Sequence, residues 1–199
     1  MKNIISSSTK IAAIGLLLLS FLVISCKTEQ EPDDPNITYV SINRSVTSVV
    51  ANVGKLDSVD LNGDSKFDFF LLATSNATAD TAKVYLIGNY GNSVYVDSTE
   101  GLGITLKAKN LFTDQVPVAK SASHEWYQYS YVGLRQGTEK KGYAGVGDVF
   151  IPILFVNASY TQQFYGWARV NVTSDYRTIK LVDVAFSVLP DTPIKMGAK

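Results

Sequence analysis

The chain predicts an all-β fold, a single antiparallel β-sandwich with jelly-roll or Ig-like layers and no substantial helix over residues 37–199. Three observations carry this. Apolar and β-branched residues there alternate or run in short blocks instead of recurring at helical spacing. Clusters of Gly, Asn, Asp and Ser punctuate the blocks, as in Asn89-Tyr90-Gly91-Asn92, Gly101-Leu102-Gly103 and the stretch from Gly142 to Asp148. No internal repeat and no Pro- or Gly-rich linker interrupts 37–199, so one domain is expected.

Taken in order, residues 1–25 read as a signal peptide. Lys2 and Lys10 form a basic n-region, and Ile11 to Ile24 form an apolar run too short to span a bilayer. Residues 26–36 contain KTEQEPDD and read as a polar tether. Strands are expected at Thr38–Ile42, Val46–Ala51, Ser58–Asp60, Phe67–Ser75, Ala82–Gly88, Ser93–Asp97 and Ile104–Ala108. The stretch Leu111–His124 lacks periodicity and reads as a surface loop. Further strands are expected at Trp126–Leu134, Val149–Asn157, Gln163–Thr173, Thr178–Leu189 and Pro193–Met196. Pro152 cannot donate to a ladder, which predicts an edge position or a bulge for its strand.

Charge excludes one class of partner. The sequence holds 18 basic and 18 acidic residues, and loss of Lys2 and Lys10 tips the balance to net −2. No basic patch stands out, which argues against nucleic acid.

Val23-Ile24-Ser25-Cys26 resembles a bacterial lipobox, with valine at a position where the family usually has leucine. The resemblance implies acylation of Cys26 and attachment to the membrane through the acyl chains, where several chains anchor stably and one would not. It implies an outer-membrane lipoprotein, facing the periplasm or the cell surface. The acidic run after Cys26 also resembles export signals toward the surface. Cys26 is the only cysteine, so the processed chain would hold no disulfide and must rely on core size or metal.

The densest polar motif is Asp60-Leu-Asn-Gly-Asp-Ser-Lys-Phe-Asp68. Side-chain oxygens recur at Asp60, Asn62, Asp64 and Asp68, a spacing suited to a hard divalent cation that takes six to eight oxygens at roughly 2.3–2.6 Å. Three carboxylates within nine residues repel one another, and a cation removes that cost. An Asx-rich solvated turn is the plainer reading of the same residues. The motif resembles the calcium loops of FG-GAP repeats and, more loosely, dockerin and EF-hand loops. That resemblance implies a structural calcium held by Asp60, Asn62, Asp64, the Lys66 carbonyl and Asp68. Ser65 replaces the usual glycine, and Leu71 stands where an EF-hand has its bidentate Glu.

Near the C-terminus, Tyr165-Gly166-Trp167-Ala168-Arg169-Val170 precedes Asp183-Val184-Ala185-Phe186 and Ile194-Lys195-Met196-Gly197. With the Asp60–Phe69 loop, this order resembles a family of secreted and surface bacterial β proteins of undefined activity. Period two puts Phe164, Gly166, Ala168, Val170 and Val172 on one face of a strand, with Tyr165, Trp167, Arg169 and Asn171 on the other. On the next strand Val182, Val184, Phe186 and Val188 share a face, and Asp183 lies opposite. An Arg169–Asp183 pair across this hairpin is expected. Gly166 and Ala168 suit close approach by a neighbour.

Two aromatic stripes are candidate ligand surfaces: Tyr127, Tyr129 and Tyr131 by alternation, and Tyr165 with Trp167. Exposed coplanar rings would stack on sugars; packing against the other sheet or under loops is the competing reading. His124 is the only histidine, no Gly-x-Ser-x-Gly elbow appears, and zinc would need further His or Cys ligands. No catalytic residue is assigned. The reading is a lipid-anchored envelope or surface protein, non-catalytic, acting as a binding or structural module for glycan or a partner protein. The alternative is a hydrolase or accessory subunit acting on polysaccharide.

Overall fold

Residues that alternate in polarity make strands with two unlike sides. The computed structural model, described for residues 34–48, 54–76, 78, 80–97, 124–157, 159 and 161–199, contains eleven strands and no helix among them. They are β1 (Ile37–Thr47), β2 (Lys55–Val59), β3 (Phe69–Ser75), β4 (Thr81–Gly88), β5 (Ser93–Asp97), β6 (His124–Tyr127), β7 (Tyr129–Gln136), β8 (Glu139–Gly142), β9 (Asp148–Val156), β10 (Gln163–Val172) and β11 (Thr178–Ser187). One sheet has the order β1-β11-β10-β9-β5-β6, the other β2-β3-β4-β7-β8. Every strand pairing is antiparallel. The two sheets form a sandwich, in agreement with the fold read from the sequence. The lipobox with Cys26, the signal segment and the Ile104–Ala108 strand lie outside the described residues.

Four elements differ from expectation. Thr38–Ile42 and Val46–Ala51 join into one strand through a bulge between Ser41 and Arg44, where Asn43 takes a positive φ of 51°. Trp126–Leu134 instead divides at Gln128, β6 joining the six-stranded sheet and β7 the five-stranded one. The Gly88 N–H donates to the Gln128 carbonyl at 2.5 Å and fixes that corner. β8 is too short and too charged to announce itself, and Pro193–Met196 forms no strand. Pro152 lies in β9, which is not an edge strand. The ladder from β9 to β5 ends at Ile153, next to the missing donor.

The main core lies between the sheets. Leu71, Val84, Leu86, Val94, Val132, Ile151, Val170, Ile179 and Leu181 are each at most 1 % exposed there. Ala168, Val170 and Val172 of β10, grouped on one face by alternation, point into this core. Gly166 is a tight approach: an added Cβ would sit 2.4 Å from the Ala185 carbonyl oxygen. Val182 falls at a register shift and does not join Val184 and Phe186 in the core.

A second, smaller core sits on the outer face of the six-stranded sheet. Leu154, Tyr165, Trp167, Ala185 and Ile194 are buried there, with Ile37, Trp126, Phe150 and Met196 packed around them. Ile194 and Met196 belong to the segment after β11, which thus covers this face. The Trp167 Nε1–H donates to the Ala198 carbonyl at 3.1 Å, and the Asp34 N–H donates to the Lys199 carbonyl at 2.9 Å. Below this cover Arg169 makes a two-pronged contact with Asp183, Nε to Oδ1 at 2.9 Å and Nη2 to Oδ2. The Tyr39 hydroxyl donates to Asp183 Oδ2 at 2.7 Å. The expected ion pair is thus present, with its carboxylate 1 % exposed.

Candidate functional site

The Asp60–Asp68 loop connects β2 to β3, and its side chains chiefly serve its own backbone. Asp60 accepts from the Gly63 N–H at 2.7 Å and the Ser65 N–H at 2.9 Å. Asn62 accepts from Asp64 N–H at 3.0 Å, and Asp64 from Lys66 N–H at 2.8 Å. These are nested Asx turns. Gly63 and Ser65 both take positive φ, 75° and 67°. At Ser65 a side chain occupies a left-handed conformation that costs roughly 1–2 kcal/mol without glycine.

Asp68 differs from the other three. It is 6 % exposed, accepts from Leu61 N–H at 2.7 Å, and receives Asn92 Nδ2 on Oδ1 at 3.3 Å. Burial pushes its carboxyl above the ordinary carboxylate range. The hydrogen bonds from Leu61 and Asn92 oppose that rise, and the charges of Asp60 and Asp64 add to it. Asn92, 1 % exposed, also donates to the Asp68 carbonyl at 3.1 Å and accepts from Val156 N–H at 2.8 Å. It therefore ties the loop and β3 to β9 of the other sheet. The sequence marks Asn92 only as a turn residue, so nothing in it signalled this bridge.

Asn62, Asp64, Lys66 and Asp68 line a cavity of about 20 Å³ together with Tyr90, Asn92, Val156 and Asn157. That volume holds one water or one ion. Asp60 instead borders a separate surface recess with Ile42, Arg44 and Phe67. Among the described residues no group of three or more His, Cys, Asp or Glu side chains converges in metal-binding geometry. The donor set around the cavity is all oxygen, which is hard-cation chemistry.

The aromatic stripes fare differently. Tyr127 lies in the six-stranded sheet and packs against the main core. Tyr129 and Tyr131 lie in the five-stranded sheet, so the three tyrosines do not form one row. Tyr165 is buried, and Trp167 is 0 % exposed between Tyr39 and Phe150, with ring centroids 6.4 and 5.0 Å away. Neither ring face of Trp167 is open.

The register reveals instead two rows on the outer face of the five-stranded sheet. Leu56, Leu72, Tyr85 and Tyr131 are successive cross-strand neighbours, as are Phe70, Ile87 and Tyr129. Tyr85 and Tyr131 rings lie 4.5 Å apart, and Lys83 Nζ stands 5.6 Å over the Tyr131 ring. Burial and the neighbouring Tyr131 hydroxyl push the Tyr85 hydroxyl above its ordinary range. Leu56 is 59 % and Tyr129 52 % exposed. The sequence placed Leu72 and Tyr85 on strands, but only the pairing puts them in one row with Tyr131.

The chain matches no protein-family model, no curated protein and no solved structure, so the site rests on its own geometry.

Proposed function

We propose that the protein is a lipid-anchored module of the bacterial envelope that binds a ligand, glycan in the first instance, without catalysis. The observation that carries this reading is the unequal treatment of the two outer faces. The six-stranded sheet is covered by the chain's own C-terminal segment, whereas the five-stranded sheet leaves Leu56 and Tyr129 exposed and Tyr131 half-buried. Contiguous exposed apolar patches of this kind mark interaction surfaces. Tyrosine rings offer a flat apolar face with a hydroxyl at the rim, which suits a sugar ring with an apolar side and equatorial hydroxyls.

A structural calcium would be held by Asn62, Asp64, the Lys66 carbonyl and Asp68, with Asp60 the remaining donor of the pattern. It would supply the positive charge that the crowded carboxylates lack. The raised position of Asp68 on the pH scale supports that demand. Acylation of Cys26 supplies the membrane attachment, and the lipobox residues support it.

The test is a pull-down on insoluble polysaccharides and a glycan array with the protein and with Tyr85→Ala, Tyr129→Ala and Tyr131→Ala. Retention is expected for the parent chain and is expected to fall at least tenfold in the variants. Equal retention, or none by the parent, rejects the glycan reading.

A further inference from the structure

We infer that the end of the sandwich holding the Asp60–Asp68 loop rests on the lipid surface and is built to do so. The inference depends on the lipid-anchored reading of Cys26. Strand registers define this end. Ile37 of β1 pairs with Ser187 of β11, Val59 of β2 with Phe69 of β3, Phe69 with Gly88 of β4, and Ile87 with Tyr129 of β7. Asn92, through Asp68 and Val156, ties both sheets together there.

Five of the eight large apolar side chains that stand exposed among the described residues lie at this end: Phe67, Tyr90, Tyr129, Val188 and Leu189. They come from four separate connections or strand ends, so no single stretch of sequence groups them. Phe67 and Tyr90 adjoin through Asn89, whose Nδ2 donates to the Phe67 carbonyl at 2.8 Å. Val188 sits beside the start of β1, its N–H donating to the Asn36 carbonyl at 2.8 Å.

The length of chain before that point selects the occupant. Seven residues, 27–33, lie between Cys26 and Asp34, the first described position, so the eight steps reach at most about 28 Å. β1 alone, with eleven residues, runs roughly 35 Å toward the opposite end. An anchored chain therefore presents the Asn36 end to the bilayer and holds the opposite end away from it. Tyrosine and short apolar side chains are what the headgroup region accepts. Asp60 and Asp64 at the same end repel an anionic surface, so the contact suits zwitterionic headgroups.

Because Cys26 is the only cysteine and would carry the acyl chains, one added thiol can be labelled selectively. Acylated protein would be reconstituted into phosphatidylethanolamine–phosphatidylcholine vesicles with a fluorophore on Tyr90→Cys, on Leu189→Cys or, at an exposed control position, on Val146→Cys. Probes at 90 and 189 are expected to lose quenching by aqueous iodide and gain quenching by brominated lipid, while the probe at 146 keeps its iodide quenching. Acylated protein whose 90 and 189 probes both stay iodide-accessible overturns the inference alone. Failure of Cys26 to incorporate labelled fatty acid in cells overturns the anchor reading, and the inference with it.

Discussion

The two outer faces of the sandwich are made of similar residues and treated in opposite ways. On the six-stranded sheet Trp167, Tyr165 and Leu154 lie beneath Ile194 and Met196, and the indole N–H has its own acceptor in Ala198. On the five-stranded sheet Phe70, Leu72, Tyr85 and Tyr131 stand half-buried in apolar rows that run out to the exposed Leu56 and Tyr129. A side chain's chemistry therefore does not reveal whether it is core or surface. The reach of a short terminal segment decides it.

The contrast can be broken most severely at Trp167. Trp167→Ala should cost about 3–5 kcal/mol, since it empties a fully enclosed site. Urea unfolding of the parent and the variant measures this, and a loss below about 1 kcal/mol would mean the face is not a true core. A smaller effect is expected at Leu56. Leu56→Ser on the open face should change stability by no more than about 0.5 kcal/mol in the same urea unfolding.

The smallest effect is a pH dependence at Asp68, where the two sheets meet. Its folded-state pKa is raised, so the folded chain binds the proton more tightly than the unfolded one. Stability from this group is full below the ordinary carboxylate value and declines as pH rises through the folded value. Thermal melts in chelator should show that decline, and Asp68→Asn should remove it. Calcium favours the ionised form, so millimolar calcium should raise the midpoint at pH 7 more than at pH 4. No calcium response at either pH would leave the loop as a set of Asx turns.

How much of this was legible in the sequence depends on how local the cause is. Alternation in β10 correctly put Val170 and Val172 on one face and Trp167 and Arg169 on the other. The Arg169–Asp183 pair followed from that alternation and one hairpin. Local patterning did not show that residues 126–134 change sheets at Gln128, because the bend rests on a hydrogen bond from Gly88, forty residues away in the chain. It also could not place Leu56 in one row with Tyr131, which takes three strand pairings. Within the candidate metal loop the oxygen spacing was legible. The use of those oxygens by the loop's own N–H groups, and the role of Asn92, were not.

The Asp34–Lys199 hydrogen bond puts the first and last described residues side by side, with β1 running lengthwise from near that point along β11. A pull applied through the residues before Asp34 acts along the axis of β1. It loads the whole β1–β11 ladder in shear at once instead of opening it rung by rung. With the acyl anchor proposed for Cys26, a load on the tether would fall in line with the β1–β11 ladder.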